Sequence, residues 1–294
     1  MLGPIGRALA LPWEGEQRAS FEIAKGRMQP TPLISYDRVH KTFAGPAGAV
    51  AAVDDVSLDI AEGEFLAIVG SSGSGKTTLL RLANRLIEPD GGSIRIAGED
   101  ISCLEPVALR RRIGTVFQNG ALFPHMTVAA NIGITPRLLG TAPKAVAARV
   151  DELLDLVQLD RAAHRNRLPD ALSGGQRQRV GVARALAAGP RIVLMDEPFG
   201  ALDEQTRMDM QNELVRIWQQ HQGTIVFVTH GIDEALTLGT QIAVMSARPG
   251  RIVEIIPIDL PRPRDITSPQ FNALKRHILA LLRGERVEQE RAPA

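Results

Sequence analysis

One stretch of eight residues limits what this chain can fold into more than any other part of the sequence. It lies after an apolar run at residues 64–69, which predicts a buried strand, and before residues 78–86, whose leucines recur at helical spacing. A strand, a glycine-rich loop and a helix in this order are the setting in which G-x-x-x-x-G-K-[ST] forms a phosphate-binding loop. The residues of this motif are Gly70, Ser71, Ser72, Gly73, Ser74, Gly75, Lys76 and Thr77.

The chemistry of this loop follows from its backbone. Glycines let successive N–H groups turn inward around an anion, and the N-terminus of the following helix adds a partial positive charge. The motif predicts that Lys76 reaches the β- and γ-phosphates of a nucleotide and that the Thr77 hydroxyl binds Mg²⁺. We include Thr78, the next residue along the chain, in the predicted phosphate site.

A pair of acidic residues fits the same chemistry. The apolar run at 192–195 ends in Asp196 and Glu197. In a nucleotide-binding fold, an Asp at the end of a buried strand is placed to hold the Mg²⁺ shell. Glu197 beside it is placed to orient or deprotonate the attacking water.

The composition limits the classes of partner and compartment. The 294 residues carry a net charge of +1 with no long run of lysine or arginine, so the composition does not indicate a nucleic-acid partner. Cys103 is the only cysteine and cannot form an internal disulfide, which favours a reducing compartment. No apolar run approaches the roughly 18 residues that a membrane helix needs, so we expect other chains to span any membrane at which this protein works.

The periodicity of apolar residues predicts an α/β fold. Buried strands at 191–195 and 224–228 are separated by a helix at about 205–220, an alternation typical of a mostly parallel sheet covered on both faces. Residues 33–60 and 91–98 read as strands of a small antiparallel β subdomain. These patterns predict the core of a phosphate-loop NTPase with an antiparallel subdomain beside it.

The same patterns predict the domain organisation. We expect a flexible N-terminal extension at 1–32, one folded domain at 33–284 and a flexible tail at 285–294. Within the folded domain, residues 121–171 form a helical insertion, and residues 246–284 supply C-terminal strands and a helix.

A five-residue motif stands between the phosphate loop and the acidic pair. Its sequence is Leu172-Ser173-Gly174-Gly175-Gln176, and a predicted helix follows it. The motif in this position resembles the signature of the ATP-binding cassette (ABC) ATPases. The order of motifs matches that family from Phe43 to His230.

The resemblance implies roles for further residues. Gln118 falls where the family keeps a glutamine that senses Mg²⁺ and the attacking water. Asp203 ends a motif that contacts the second subunit, and His230 matches the histidine that contacts the γ-phosphate. For the adenine, the resemblance implies stacking on Phe43, with Tyr36 as the alternative. The family usually has Asp after this histidine where the present chain has Gly231, so a local contact is weakened while the catalytic set stays intact.

Partners and a mechanism are implied in the same way. ATP and Mg²⁺ are bound between two copies arranged head to tail, so that Ser173 and Gly175 of one copy face the phosphates held at Lys76 of the other. A single cassette in a separate chain looks like the ATPase subunit of an importer. Such subunits are peripheral on the cytoplasmic face of the inner or plasma membrane, bind transmembrane permease subunits and act indirectly with a solute-binding protein.

Shorter stretches resemble two importer groups. Residues 84–89 and 122–127 resemble the glycine betaine and other quaternary-amine importers, whereas 245–252 and 259–264 resemble the nitrate, sulfonate and taurine importers. We expect the nitrate, sulfonate and taurine type. The quaternary-amine type is the alternative, and a soluble non-transport ABC ATPase is a further one.

The segment after Gln118 predicts the surface that meets the membrane subunits. An importer subunit needs an apolar groove there to seat a short helix of the transmembrane chain. The alternative is that these residues form the core of the insertion, which stays open for Leu122 and Val128. The apolar residues of this segment are Leu122, Phe123, Pro124, Met126 and Val128.

Overall fold

The structure, a computed structural model, describes residues 31–45, 48–118 and 120–291. The predicted N-terminal extension lies outside these residues except for Thr31 and Pro32, as do residues 46 and 47. No helix in these ranges combines the length and apolar character needed to cross a bilayer.

The larger sheet has six strands in the order β10-β9-β3-β8-β7-β6. All neighbours are parallel except β10 and β9, which confirms the predicted mostly parallel sheet. The central strands β3, β7 and β8 are buried along their whole length, as expected of strands covered on both faces. The six strands are β3 (Phe65–Gly70), β6 (Ile113–Val116), β7 (Ile192–Asp196), β8 (Thr224–Thr229), β9 (Gln241–Met245) and β10 (Ile252–Pro257).

The smaller sheet is antiparallel with the order β2-β1-β4-β5, which confirms the predicted antiparallel subdomain. Its first two strands form a long hairpin in which Gly45 pairs with Gly48. A single 3₁₀ turn at Ile101–Cys103 follows the last strand. The four strands are β1 (Ile34–Gly45), β2 (Gly48–Ile60), β4 (Gly91–Ile96) and β5 (Glu99–Asp100).

Ten α-helices lie in the described ranges. Four of them, α3 to α6, fill the predicted helical insertion together with a 3₁₀ turn at Pro169–Ala171. Helix α10 runs past the predicted domain boundary at 284 as far as Arg291, so the predicted tail is helical over most of its length. The helices are α1 (Lys76–Ala83), α2 (Pro106–Arg112), α3 (Val128–Ile132), α4 (Ile134–Leu138), α5 (Pro143–Leu156), α6 (Arg161–His164), α7 (Gly174–Leu186), α8 (Glu204–His221), α9 (Ile232–Leu238) and α10 (Pro269–Arg291).

Helix α1 is shorter than the leucine spacing predicts. It ends at Ala83 rather than near residue 86, because Arg85 adopts a left-handed backbone conformation with φ 53°. The N–H of Leu86 then bonds back to the Arg81 carbonyl, which satisfies a carbonyl at the helix end. The periodic pattern of leucines continues past Ala83, but the left-handed conformation of Arg85 ends the helix.

Three apolar clusters hold the layers together. One joins the insertion helices to α7, α8 and one face of the parallel sheet. A second lies between the antiparallel sheet, α1 and the opposite face of the parallel sheet. The third packs α9 and α10 against β3 and β9, with Phe271 and Ile278 fully buried. The phosphate loop lies at the end of β3, a strand that contributes to all three clusters.

Tyr36 is a core residue, so the alternative site for adenine stacking is wrong. Its side chain is only 2% exposed, and its hydroxyl donates a hydrogen bond of 3.2 Å to the Leu79 carbonyl in α1. A ring packed in the core between β1 and α1 has no free face for a base. Phe43, seven residues further along the same strand, is 41% exposed.

Tyr36→Phe tests this correction. Loss of the hydroxyl removes its hydrogen bond to the Leu79 carbonyl, so we expect the free energy of unfolding to fall by about 1 kcal/mol. The affinity for ATP should not change. Urea denaturation and calorimetric titration with ATP measure the two quantities, and a weakened ATP affinity in a stable variant would contradict the core assignment.

Candidate nucleotide site

The carboxyl ends of four neighbouring strands carry the predicted site residues. In the order β3-β8-β7-β6, these ends lead into the phosphate loop, His230, the Asp196–Glu197 pair and Gln118. Because the strands are parallel and adjacent, all four segments emerge at one edge of the sheet. Ligands of open α/β sheets bind at this edge.

The phosphate loop has the backbone that its glycines predict. Gly73 and Gly75 have φ values of 79° and 85°, a region that side chains other than glycine rarely adopt. At Gly75 a Cβ atom would lie 2.1 Å from the carbonyl oxygen of Ala52 in β2. The loop therefore packs directly against the antiparallel sheet, and only glycine fits at that contact.

Lys76 points into the centre of this loop. Its ammonium donates hydrogen bonds to the Gly70 carbonyl at 2.9 Å, the Ser71 carbonyl at 2.8 Å and the Ser74 hydroxyl at 3.2 Å. Burial lowers the pKa of the ammonium, and the carboxylates of Glu197 and Asp196 raise it. The loop thus surrounds a buried cation whose donors can turn to phosphate oxygens. The remaining loop residues, Ser72 and Gly73, are exposed at its tip, and Thr78 is half-buried in the first turn of α1.

Asp196 and Thr77 lie together at the edge of the sheet. The Thr77 hydroxyl donates a 2.9 Å hydrogen bond to Asp196 Oδ1. Burial raises the pKa of the Asp196 carboxyl, whereas the bond from Thr77 lowers it. One hydroxyl and one carboxylate in contact are the hard oxygen donors that Mg²⁺ prefers, so these two residues fit a magnesium site.

Glu197 stands between the other two predicted catalytic residues. Gln118 Nε2 donates to one carboxylate oxygen at 3.2 Å, and His230 Nδ1 lies 3.3 Å from the other. The backbone of Glu197 is left-handed with φ 46°, and its N–H is fixed by the Val228 carbonyl at 3.0 Å. This conformation has a cost for a residue other than glycine, and it persists where surrounding contacts fix it, as they do here. The structure thus brings three distant residues together: Gln118 lies 79 positions before Glu197, and His230 lies 33 positions after it.

Sequence reasoning missed Gln178, which joins this centre to helix α7. Its side chain is 2% exposed and donates to the Glu197 carbonyl at 3.0 Å, while its own oxygen accepts from the Ala201 N–H at 2.9 Å. The sequence does place this glutamine on the apolar face of an amphipathic helix. That position could have indicated a role, because a buried amide needs hydrogen-bond partners.

Thr229, Glu234 and Gln211 form a second network that sequence reasoning missed. The Thr229 hydroxyl accepts from the Gly231 N–H at 2.9 Å and donates to Glu234, and Gln211 in α8 donates to Glu234 at 3.0 Å. Burial raises the pKa of the Glu234 carboxyl. The network fixes the backbone that follows His230, where Gly231 offers no side chain to cap α9.

The signature motif forms the start of helix α7. Ser173 accepts from the Gln176 N–H, and the Gln176 side chain accepts from the Ser173 N–H, a capping box that fixes the first turn. A Cβ atom on Gly175 would lie 3.0 Å from Leu202, so the small residue lets the motif approach the loop before α8. Asp203 caps α8 by accepting from the Thr206 N–H at 2.9 Å.

Phe43 lies on β1 near the phosphate loop. The residue before it, Thr42, pairs with Ala51 in β2, and the next residue, Ala52, contacts Gly75 of the loop. The backbone of Phe43 is therefore one strand away from the loop, and its side chain is exposed, as a base-stacking residue requires.

A cleft of about 290 Å³ opens between the parallel sheet and the insertion. Phe123, 40% exposed, lines it together with Phe117, Ile134 and Leu138 and with the cations Arg110, Arg111 and Arg184. Val128 is fully buried and Leu122 packs against the core, so the core interpretation is correct for these two residues. Pro124 is exposed, and Met126 is half-buried.

The loop that carries Phe123 is held in place by one buried side chain. Asn131 accepts from the Phe123 N–H at 2.8 Å, and its amide donates to the carbonyls of Phe123, Met126 and Thr127. The exposure of the Phe123 ring is thus a property of an ordered loop.

Comparison with known proteins agrees with this geometry. The family described as ABC transporter matches residues 53–200, half of the chain. The glycine betaine/carnitine/choline transport ATP-binding protein of Bacillus subtilis is 45% identical over 87% of this chain and 67% of its own length. The glycine betaine uptake system ATP-binding protein of Escherichia coli is 49% identical over 72% of this chain and 68% of its own. The chain thus spans about two thirds of the length of these relatives.

A solved structure shows the same fold. It is the dimeric structure of a post-hydrolysis state of an ATP-binding cassette bound to ADP and Pi, 33% identical, with a TM-score of 0.70 over 76% of this chain and 98% of that cassette. Family, relatives and fold agree with a site in which the oxygens of a glycine-rich loop surround a buried lysine and in which Glu197 is held by Gln118. The chain belongs to the ABC transporter family, and it is an ATP-binding ATPase.

Proposed function

We propose that this chain is the ATPase subunit of an importer for a quaternary-amine solute such as glycine betaine or choline. The observation that carries the enzymatic part is the position of Glu197 between Gln118 and His230, at the sheet edge that also presents Lys76. The solute class is supported by the relatives that transport glycine betaine. These relatives favour the quaternary-amine type over the nitrate, sulfonate and taurine type that we expected from the sequence.

In this proposal the loop and Lys76 bind the β- and γ-phosphates of ATP. The three hydrogen bonds that Lys76 makes to loop oxygens are exchanged for bonds to phosphate oxygens, which are charge-assisted and therefore stronger. Thr77, Asp196 and Gln118 would hold Mg²⁺, which neutralises charge on the phosphates when bound. Phe43 stacks on the adenine.

Glu197 acts as the general base or orients the attacking water. Its carboxylate is held from two sides by Gln118 and His230, and its backbone is held by Gln178 and Val228. A base that is fixed in this way meets the water in a productive geometry. His230 contacts the γ-phosphate.

A second copy of the chain completes each site. Within the described ranges, no hydrogen bond joins Ser173 to residues 70–77 of its own chain, and the N-terminus of α7 is exposed. In a head-to-tail dimer, Ser173, Gly175 and the loop ending in Asp203 meet the phosphates bound by the partner, where the helix N-terminus favours negative charge. The solved cassette that resembles this chain is dimeric.

The cleft beside Phe123 is the surface for the transmembrane subunits. Its apolar walls and its three arginines, with no acidic residue among the described side chains that line it, suit a short helix that presents apolar and acidic side chains. This surface favours an importer subunit over a non-transport ABC ATPase. The protein is then peripheral on the cytoplasmic face of the membrane and acts with a solute-binding protein only through the permease.

Two substitutions separate hydrolysis from binding. Glu197→Gln keeps the phosphate loop intact, so we expect ATP binding to be retained while hydrolysis falls by at least about 100-fold. Lys76→Ala removes a charge-assisted phosphate contact and should weaken ATP binding itself. Calorimetric titration and a phosphate-release assay measure the two effects. Rapid hydrolysis by Glu197→Gln, or unchanged ATP affinity of Lys76→Ala, would contradict the corresponding role.

A mixed dimer tests whether Ser173 acts across the interface. One copy carries Lys76→Ala, the other carries Ser173→Arg, and both carry Glu197→Gln so that bound ATP is not consumed. If the sites are shared between copies, one site of the heterodimer bears both changes and the other bears neither. We expect one trapped ATP per heterodimer. No trapped ATP in an isolated heterodimer would favour sites built within one chain.

Phe123→Asp tests the surface for the membrane subunits. A carboxylate in the apolar cleft should abolish assembly with the permease, measured by co-purification, while the isolated protein keeps its ATPase activity and melting temperature. Val253→Asp, at an exposed valine on β10 outside the cleft, is the matched control. Unfolding of Phe123→Asp would show that the ring is a core residue, and normal assembly would place the permease surface elsewhere.

A further inference from the structure

A lysine–aspartate pair lies beside Phe43. Lys41 and Phe43 are two positions apart on β1 and therefore project from the same face of the strand. The Lys41 ammonium lies over the Phe43 ring, 5.6 Å from its centroid. A cation at this distance from an aromatic face is within the range of a cation–π interaction.

Asp90 fixes the lysine in this position. Its Oδ1 accepts from the Lys41 ammonium at 2.7 Å, and its Oδ2 accepts from the Thr42 N–H at 2.7 Å. Its own N–H donates to the His40 carbonyl at 2.8 Å. Asp90 thus binds three successive residues of β1, and the Lys41 side chain is only 16% exposed although Phe43 beside it is 41% exposed.

We propose that Lys41 and Asp90 are positioning residues that prepare Phe43 as the platform for the adenine base. Lys41 covers one face of the ring and leaves the other for the base. Its charge withdraws electron density from the ring, which strengthens stacking on an electron-rich purine. The proposal rests on the function proposed above, in which Phe43 stacks on the base of ATP.

The Lys41–Asp90 pair should affect binding of the adenine base and not binding of the phosphates. In the described part of the chain, neither Lys41 nor Asp90 forms a hydrogen bond or ion pair with residues 70–77, which bind the phosphates. A probe that has the phosphates but no base therefore separates the two contributions. Inorganic tripolyphosphate is such a probe.

The experiment compares MgATP with magnesium tripolyphosphate by calorimetric titration of the full chain. We expect Lys41→Met and Asp90→Asn to weaken MgATP binding about threefold, the size expected of one cation–π contact at a partly exposed site. Tripolyphosphate binding should be unchanged. Lys41→Arg keeps the charge and the bond to Asp90 and should bind MgATP as the unmodified chain does. Lys275→Met removes another lysine–aspartate pair, with Asp233, and is the matched control.

A double variant distinguishes positioning from a general structural effect. If Lys41 acts through the ring, Lys41→Met in a Phe43→Ala background causes no further loss of MgATP affinity. Equal losses for MgATP and tripolyphosphate, or an additive double variant, would overturn the proposal. Unchanged MgATP affinity in Lys41→Met and Asp90→Asn would also overturn it.

The two proposals fail in different ways. If Phe43→Ala itself leaves MgATP affinity unchanged, the base platform of the proposed function is wrong, and the role of Lys41 is wrong with it. If Phe43→Ala weakens MgATP binding but Lys41→Met and Asp90→Asn do not, only the role of the pair is wrong. Melting temperatures of all variants confirm that the titrations measure folded protein.

Discussion

The parallel register of β3, β8, β7 and β6 is the constraint on which the rest of the structure depends. β3, β8 and β7 are buried along their whole length, and the pairing of the four strands brings their carboxyl ends to one edge. A shift of one strand by one residue would turn its side chains to the other face and move its terminal residue away from the edge. The contacts of Glu197 with Gln118 and His230 require the β6–β7 and β7–β8 registers at once, and the β3–β8 register places the phosphate loop at the same edge.

Several ionisable side chains at and near the site are buried, which disfavours their charged forms. Lys76 is buried against loop oxygens, and burial raises the pKa of Asp196 and of Glu234. A buried ion without partners is strongly unfavourable, so each of these groups is hydrogen-bonded. Their partners are loop carbonyls and hydroxyl or amide groups of neighbouring elements, which orients the groups before a nucleotide arrives. Phosphoryl transfer needs charged groups that are oriented in this way before the nucleotide binds.

Helix α7 connects the nucleotide edge with the cleft. Its first turn carries Ser173, its buried face carries Gln178, and Arg184 in its last turn donates to the carbonyls of Gly120 and Ala121. Arg184 also lies over the Phe123 ring in the cleft, 5.9 Å from its centroid. One rigid element thus touches the residues proposed for the partner's phosphates, for hydrolysis and for the membrane subunits. A displacement of α7 would therefore move residues at all three of these places.

The sequence by itself determined the phosphate loop, the strand–helix order, the acidic pair and the family, because each of these depends on neighbours along the chain. The spacing of glycines and the period of apolar residues are local properties of the sequence, so they can be recognised without knowledge of the fold. Short resemblances at 245–252 and 259–264 suggested the nitrate, sulfonate and taurine group, whereas two relatives that match most of the chain are named for glycine betaine transport. Only the tertiary structure excluded Tyr36 as a base-stacking residue and revealed Gln178 and the Lys41–Asp90 pair. These depend on which side chain is buried and on contacts between residues 19 to 49 positions apart, which no local pattern encodes.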